Sequence, residues 1–340
     1  MIRSQDRATF VMPHWSSGGS LSEQHLKEAV ASVFAQTDEG WRLVWIDDGS
    51  RATSVHRDMR ELEKAYPDQV EAIFRPVRQG PGVCRNVGVQ RAFELGSPFV
   101  LFLDADDVAG AERLEVARQT FSENSRASVV YTGFHAIDEA SNPILESSLT
   151  PSLWEILASH REAPPQGPNA WIEIATNSGY TNLTSATSVR TDLAYRIPFP
   201  DEYVSEDSHT WMRYSAGGED FVFRPESPTG YRIPRDGEGS SSRSREGGRR
   251  DFYRAKARVD TDGFESALEL ALTKGKIERR DVPDLRIRFH IRLGETLAKE
   301  KQFALAAAQV EQARLVSEPD TKRLLIEKGL DGRSWSLKSG

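Results

Sequence analysis

Residues 101–107 read Leu-Phe-Leu-Asp-Ala-Asp-Asp, and this stretch decides the expected fold. The apolar run over 99–103 contains β-branched and aromatic side chains, which is typical of a buried parallel strand. Three carboxylates follow it, at Asp104, Asp106 and Asp107. Open α/β sheets bind ligands at the carboxyl ends of their strands, and clustered oxygen ligands favour Mg²⁺ or Mn²⁺. A solvated Asp-rich turn is the alternative, but the apolar strand before the acids favours a site for a metal and a diphosphate.

Strand-like and helix-like patterns alternate over the first hundred residues. Apolar runs at 9–12, 42–46 and 70–74 precede the run at 99–103. Helical spacings lie between them, and the first consists of Leu26, Ala29, Val30, Val33 and Phe34. This alternation predicts an α/β fold with a mostly parallel sheet, right-handed crossovers and helices on both faces.

The composition is typical of a soluble globular protein. Of the 340 residues, 38% are hydrophobic and 28% are charged, and the net charge of −7 argues against general nucleic-acid binding. The single cysteine, Cys84, excludes an intrachain disulfide and favours a reducing compartment. The first residues have no apolar signal core, and no apolar run approaches membrane-spanning length. We expect a cytoplasmic protein that is at most peripheral to a membrane.

The second half of the chain is less regular. Strands are predicted over 129–134, 182–190 and 221–224, and a helix begins at Glu206 and Asp207, whereas 151–180 resists assignment. A Gly/Ser/Arg-rich stretch follows, and 252–330 is almost entirely helical in pattern. We expect three parts: an α/β domain over 1–235, a flexible linker or lid over 236–251, and a C-terminal α-helical extension over 252–340.

Three polar motifs of the first half should meet at one edge of the sheet. Asp47 and Asp48 end the second strand, 82–85 open a helix, and 104–107 end a later strand. A carboxylate there can accept a hydrogen bond from a base or a ribose, and Arg85 can meet a phosphate or brace the aspartates. Alone, Asp47-Asp48-Gly49-Ser50 is more often a turn with a helix cap, and Arg85-Asn86 would be a surface pair. Their order on alternating elements favours a shared site.

These motifs resemble those of the family-two glycosyltransferases, which have a GT-A fold, a Rossmann-like fold of nucleotide-diphospho-sugar transferases. The resemblance covers about residues 8–235 and rests on Val11-Met12-Pro13, Ile46-Asp47-Asp48-Gly49-Ser50, the run 80–88, Leu103-Asp104-Ala105-Asp106-Asp107, Thr184-Ser185-Ala186-Thr187, Phe199 and Ser205-Glu206-Asp207. It implies that about 8–125 bind the nucleotide-sugar and that 126–235 form the acceptor side.

The resemblance also implies the roles of single residues. Asp47 would read the nucleobase, and Asp104 and Asp106 would hold Mn²⁺ or Mg²⁺ together with the nucleotide-sugar. The full expected donor site is Pro13, Asp47, Asp48, Arg78, Gly82, Arg85, Asn86, Asp104, Ala105 and Asp106. Asp207 would be the general base, since an inverting transfer needs a carboxylate to deprotonate the acceptor hydroxyl. The alternative for Glu206 and Asp207 is that acids simply favour a helix N-terminus.

Two places depart from the family pattern. Relatives usually carry a histidine shortly after a Tyr-Arg pair, but Tyr231-Arg232 is followed by Ile-Pro-Arg235-Asp. The third protein ligand to the metal is therefore open, and Arg235 is expected near the diphosphate. The first strand runs into His14-Trp15, where Trp15 either stacks on the base or packs as an ordinary aromatic.

The linker and the helical extension have open roles. Arg243 and Arg245 either order over a diphosphate as part of a lid or belong to an inert linker. Spacings around 293–319 approximate one tetratricopeptide-like helix pair, although a plain amphipathic hairpin is favoured. We expect an interaction surface there, with homo-oligomerisation as one use. Arg286, Arg288 and Arg292 are expected to be solvated, with anionic lipid as the alternative partner.

The leading hypothesis is a metal-dependent inverting glycosyltransferase that moves a sugar from a nucleoside-diphosphate sugar, by default a UDP-sugar, to an acceptor hydroxyl. A nucleotidyltransferase also uses strand-end aspartates, but residues 16–20 supply glycine without the basic residue it needs. A non-catalytic binding protein with a helical partner-binding tail is the second alternative, against which the intact acids argue.

Overall fold

The structure, a computed structural model, describes residues 6–16, 19–51, 53–179, 181–233 and 248–330. Within these residues, seven strands form one sheet in the order β3-β2-β1-β4-β6-β5-β7. The strands are β1 (Ala8–His14), β2 (Trp41–Asp47), β3 (Val70–Phe74), β4 (Phe99–Phe102), β5 (Ala127–Ile137), β6 (Thr187–Arg190) and β7 (Asp220–Arg232). Strand β6 runs antiparallel to β4 and β5, and the other neighbouring strands are parallel. The predicted mostly parallel sheet is confirmed.

Twelve α-helices occur in the described part of the chain. They are α1 (Ser20–Phe34), α2 (Thr53–Ala65), α3 (Pro81–Glu94), α4 (Arg113–Glu123), α5 (Pro151–Glu162), α6 (Ala170–Glu173), α7 (Thr191–Arg196), α8 (Glu206–Gly217), α9 (Gly248–Thr273), α10 (Val282–Lys299), α11 (Phe303–Val316) and α12 (Glu318–Glu327). A π-helical turn, Ile174–Ser178, follows α6. None of the helices in this part is long and apolar enough to cross a membrane.

Alternate residues of the central strands face two helical layers. Phe10 and Met12 of β1 pack with α1, α2 and α4 on one face of the sheet. Val11, between them, packs with α3 and α8 on the other face. This alternation follows from the two-residue period of a strand, since both faces are buried. Helices therefore cover both faces, as expected.

The core beneath α3 and α8 continues into the C-terminal helices. Phe264 of α9 and Phe289 of α10 are fully buried and stack with ring centroids 4.1 Å apart. They belong to the same apolar cluster as Trp171 and Trp211. The C-terminal helical region is present as expected. One buried cluster contains residues from both sides of the predicted boundary at 235.

The arginines of α10 correct one expectation. Arg292 is 4% exposed, and its Nε donates to the carbonyl of Ala175 at 2.9 Å. Arg288 donates to Thr176 Oγ1 at 2.9 Å, and Arg286 pairs with Glu265. A solvated or lipid-facing basic surface was therefore the wrong prediction for Arg292, because this side chain joins α10 to the π-helical turn.

Candidate active site

A cleft of about 820 Å³ opens at the carboxyl ends of β1 and β4. Its walls come from both halves of the α/β region and from α9. Among the residues with an expected role, the lining includes Pro13, Asp48, Arg78, Arg85, Asp104, Ala105, Asp106 and Asp207. Arg235, Arg243 and Arg245 lie outside the described residues.

Asp47 lies beneath the cleft surface. Its residue is 0% exposed, and it is not among the residues that line the cleft. One carboxylate oxygen lies 3.1 Å from His14 Nδ1, and the other accepts from the Ser50 N–H at 2.9 Å and lies 3.0 Å from His56 Nε2. Burial raises the pKa of Asp47, but the bonds to His14, Ser50 and His56 outweigh it and lower the pKa to about 2. The nucleobase contact expected of Asp47 does not fit this enclosed position.

Asp48 borders the cleft one residue later. Its two carboxylate oxygens accept from the backbone N–H groups of Gln79, at 2.9 Å, and Gly80, at 2.7 Å. Gly80 has φ of 93°, a conformation that favours glycine, and it is the N-cap of α3. Asp48 therefore joins the end of β2 to the start of α3, and it borders the cleft although its residue is only 3% exposed.

Arg85 connects two acidic groups across the cleft. Its residue is 3% exposed, and it donates to Asp104 Oδ1 at 2.7 Å and to Glu206 Oε1 at 3.0 Å. Its Nε has no hydrogen-bond partner among the described residues. The single guanidinium thus fixes the strand-end acids of β4 relative to the N-terminus of α8, as charge-assisted bonds do well.

The three acids after β4 have different surroundings. Asp107 is 2% exposed, and its Oδ1 accepts from the Arg232 N–H at 2.9 Å. Its burial, followed by the charges of Asp106 and Asp104, raises its pKa well above the usual range. Asp106 is exposed and borders the cleft, and its carboxylate accepts a hydrogen bond from its own backbone N–H. Asp106 is therefore the acid best placed to meet a ligand.

The donor set fits a metal that binds together with a nucleotide. Within the described ranges, no group of three or more His, Cys, Asp or Glu side chains is arranged to hold a metal ion. Mg²⁺ and similar cations are often held by one or two carboxylates together with substrate phosphates and water. Asp104, half-buried, and Asp106, exposed, provide such a pair at the cleft floor.

Glu206 and Asp207 begin α8 and line the same cleft. Ser205 before them has φ of 60°, which turns the chain sharply into the helix. Burial raises the pKa of Glu206 to about 7, the charge of Asp207 adds to the effect, and Arg85 opposes it. Burial also raises the pKa of Asp207, against the Ser208 N–H, Lys256 and Arg85. Both carboxylates are thus better proton acceptors near neutral pH than exposed acids.

Trp15 and Arg78 form one side of the cleft mouth. The Arg78 guanidinium lies over the Trp15 ring, 3.6 Å from its centroid. Trp15 is 39% exposed, so it is not a packed core aromatic. This pair leaves a flat surface at the cleft where a planar group can stack.

Gly82 and Asn86 do not border the cleft in the described part of the chain. Asn86 exchanges two hydrogen bonds with the backbone of Phe199, at 2.8 and 2.9 Å. A Cβ on Gly82 would lie 2.9 Å from the Pro200 carbonyl oxygen. Both residues pack α3 against the segment before α8. They therefore support the cleft without lining it.

Sequence reasoning missed the contribution of α9. Phe252 and Lys256 line the cleft, although they lie in the helical extension, where only an interaction surface was expected. A lysine within a long amphipathic helix has no local pattern that distinguishes it from a solvated one. Its burial follows from the packing of α9 on α8, which the sequence does not specify.

Comparison with known families identifies the class of protein. The sequence model of the family described as "Glycosyl transferase family 2" matches residues 9–182, just over half of the chain. The chain therefore belongs to glycosyl transferase family 2. Its fold is the GT-A fold of this class.

Curated relatives match over shorter stretches. An uncharacterized glycosyltransferase of Nostoc is 34% identical over 150 residues, which cover 44% of this chain and 44% of the relative. The succinoglycan biosynthesis protein ExoW of Rhizobium meliloti is 33% identical over 116 residues, 34% of each chain. An uncharacterized glycosyltransferase of Haemophilus influenzae is 29% identical over 107 residues, 32% of this chain and 39% of the relative. The chain thus matches less than half the length of these relatives.

Solved structures share the fold over nearly the whole chain. S. aureus TarS 1-349 in complex with UDP-GlcNAc has a TM-score of 0.55 at 17% identity, with 96% of this chain and 93% of that chain covered. The mannosyltransferase PcManGT from Pyrobaculum calidifontis, in complex with GDP-Man and Mn²⁺, has a TM-score of 0.53 at 16% identity, with 95% and 79% covered. At 96% coverage, the alignment with TarS includes C-terminal helices of this chain.

Proposed function

We propose that this protein is a metal-dependent inverting glycosyltransferase that transfers a sugar from a nucleoside-diphosphate sugar to an acceptor hydroxyl. The observation that carries the proposal is the shared cleft, which Asp48, Asp106 and Asp207 line from three different elements. Family membership supports the reaction class, since residues 9–182 include the strand-end acids of the site, although not Glu206 and Asp207 at the start of α8.

The proposed donor is a UDP-sugar, and the proposed cation is Mn²⁺ or Mg²⁺. Two proteins with the same fold support this choice: TarS was solved with UDP-GlcNAc, and PcManGT with GDP-Man and Mn²⁺. In this chain Asp104 and Asp106 would hold the cation, which neutralises the diphosphate charge when it is bound. Trp15, which is exposed, and the half-buried Arg78 line the cleft and would contact the base, and Asp48 would be an acceptor in the same cleft.

The proposed chemistry places Asp207 on the acceptor. Its carboxylate takes the proton of the acceptor hydroxyl as that oxygen forms a bond to the anomeric carbon of the sugar. The bond from the anomeric carbon to the diphosphate oxygen breaks, and the nucleoside diphosphate leaves with both electrons. Arg85 bonds both Asp104 and Glu206. It therefore fixes the position of the metal-binding acids relative to the start of α8, which carries the proposed base.

A cytoplasmic location is part of this proposal. It agrees with the single cysteine, Cys84, which is buried and free.

The test is a donor panel with Mn²⁺, in which nucleotide-sugar binding and release of the nucleoside diphosphate are measured for the wild type and three variants. Asp106→Ala is expected to abolish the Mn²⁺-dependent part of donor affinity. Asp207→Asn is expected to keep donor affinity and to lower turnover by about 10²–10⁴-fold, the usual contribution of a general base. The matched control is Asp201→Asn, an exposed aspartate outside the cleft, which should behave as wild type.

Two results would overturn the proposal. One is a wild-type protein that binds no nucleotide-sugar of the panel. The other is unchanged turnover in Asp207→Asn, which would remove this residue as the base.

A further inference from the structure

Helix α9 places a buried lysine at the acceptor wall of the cleft. Lys256 is 2% exposed and lines the cleft. Its Nζ lies 3.0 Å from Asp260 Oδ2 and donates to Ser205 Oγ at 3.0 Å. Ser205 Oγ in turn donates to Asp260 Oδ1 at 2.5 Å. Lys256, Ser205 and Asp260 thus form a closed polar triangle, which we call the Lys256 triangle.

The Lys256 triangle holds the turn that presents the proposed base. Ser205 has φ of 60° and ψ of 19°, a left-handed conformation that is unfavourable for a non-glycine residue and persists only where its surroundings hold it. It directly precedes Glu206 and Asp207. Because two members of the triangle belong to α9, the C-terminal helices fix how α8 begins.

A buried ion pair of this kind is rarely favoured for stability alone. Moving both charges out of water is costly, and apolar residues of similar volume often do as well. Asp260 is 0% exposed and Lys256 is 2% exposed, so neither charge is relieved by bulk water. Because Lys256 and Asp260 lie beside the cleft, their charges can act on groups of the site, which apolar residues could not do.

We propose that Lys256 and Asp260 are positioning residues for Asp207, which fix the Ser205 turn and set the charge around the base. This inference rests on the proposed function, because it takes Asp207 as the group that accepts the proton. Neither residue needs to touch the substrate for this role.

The charged and titratable groups that face Asp207 come from several elements. Glu206 lies on its own helix, Lys256 and Asp260 on α9, Arg85 on α3, and Tyr231 on β7. Burial raises the pKa of Asp207, the Ser208 N–H lowers it, Lys256 and Arg85 lower it, and Asp260 raises it. Removing the Lys256 ammonium and removing the Asp260 carboxylate should therefore shift the pKa of Asp207 in opposite directions.

The test is the pKa of the Asp207 carboxyl, followed by ¹³C NMR of protein labelled at aspartate and assigned with Asp207→Asn. Lys256→Met should raise this pKa, and Asp260→Asn should lower it, each by about one unit as expected for one neighbouring charge. Lys299→Met, an exposed lysine on α10, is the matched control and should leave it unchanged. The double variant Lys256→Met/Asp260→Asn, which leaves no unpaired charge, should fall between the two.

Turnover provides a second readout. The acid limb of the kcat profile on the donor selected by the panel should follow the same two shifts, with KM for the donor unchanged. Shifts in the same direction, or no shift in either variant, would overturn the inference even if the enzyme turns over normally. A wild type without turnover would instead overturn the proposed function, and the NMR titration would still decide this inference.

Discussion

At the scale of single residues, the neighbours Asp47 and Asp48 differ in their surroundings. Both follow β2, but successive side chains of an extended segment point to opposite sides. Asp47 is enclosed by His14, His56 and the Ser50 N–H, whereas Asp48 borders the cleft. The family resemblance led us to expect the base-reading role at Asp47, whereas we propose it for Asp48, which is 3% exposed and borders the cleft.

The first residue-scale prediction compares these two acids. Asp48→Asn should weaken nucleotide-sugar binding, measured by titration calorimetry, more than Asp47→Asn does. Asp47→Asn should instead lower the free energy of unfolding by about 1–3 kcal/mol, because it loses charged acceptors in a buried network. Weaker binding in Asp47→Asn alone, at unchanged stability, would restore the original expectation.

The pH dependence of the Asp47 effect has a fixed sign. Its pKa in the folded protein is about 2, below the ordinary value of 3.8. The carboxylate therefore stabilises the folded state above pH 3.8, and this contribution is lost as the pH falls through about 2. The stability difference between wild type and Asp47→Asn should narrow over that range of pH.

Glu206 should have the opposite pH dependence. Its pKa in the folded protein is about 7, above the ordinary value of 4.5. Its contribution to stability is present below 4.5 and is lost as the pH rises through about 7. Urea unfolding between about pH 5 and about pH 8 should show a smaller decline for Glu206→Gln than for wild type. If the free energy of unfolding fell equally with pH in the two proteins, the raised pKa of the Glu206 carboxyl would be contradicted.

At the scale of elements, the contact between α8 and α9 carries much of the site. Gly263 of α9 faces His209 of α8 so closely that a Cβ on Gly263 would lie 2.7 Å from the His209 Cα. A backbone atom cannot swing aside as a side chain can. The close approach keeps Lys256 at its distance from the start of α8.

Gly263→Ala should therefore destabilise the protein. Overpacking typically costs about 1–3 kcal/mol, which exceeds the gain of about 1 kcal/mol from the better helix propensity of alanine. The control is Gly133→Ala, where the new Cβ would meet its nearest atom at 3.6 Å, an ordinary contact. Thermal unfolding of both variants measures the difference, and equal stability of the two would contradict the close α8–α9 contact.

The sequence predicts the elements that have strong local patterns and misses those that depend on distant partners. Strands β1 to β4 and helix α3 lie where their apolar spacing and the Gly-Pro-Gly run place them. The predicted strand over 182–190 is shorter, Thr187–Arg190, because the preceding residues form a 3₁₀ turn. The predicted strand over 221–224 extends to Arg232, because it pairs along β5. Residues 151–178 form α5, α6 and the π-helical turn, whose mixed polar composition gives no clear period.

The candidate site divides in the same way. The acids at strand ends are recognisable because an apolar strand precedes them, and Asp104, Asp106 and Asp207 do line one cleft. The contribution of Lys256 depends on how α9 docks, which no local pattern encodes. The burial of Asp47 likewise depends on contacts with two histidines, His14 and His56, which belong to separate elements.

At the scale of the whole molecule, the C-terminal helices and the α/β region share one core. The cluster that contains Trp171 and Trp211 also contains Phe264, Leu268 and Phe289. Removal of residues 248–340 would expose the apolar surface beneath these side chains. The chain that remains would also lose Lys256 and Phe252 from the cleft wall.

A chain that ends at residue 235 should therefore fail to fold cooperatively, as judged by calorimetry and near-ultraviolet circular dichroism. The matched control ends at residue 316, which removes α12 but keeps every member of the shared cluster. This longer chain should unfold in one transition. A stable, cooperative chain of 235 residues would show that the C-terminal helices form an independent unit.

The central claim is that one cleft gathers the cation, the nucleotide-sugar and the base. The most direct measurement is anomalous diffraction at the manganese edge from crystals grown with Mn²⁺ and the nucleotide-sugar that the panel selects. The account predicts an anomalous peak beside Asp106, with the diphosphate next to it and the sugar facing Asp207. A nucleotide bound outside this cleft, or a manganese peak remote from Asp104 and Asp106, would contradict it.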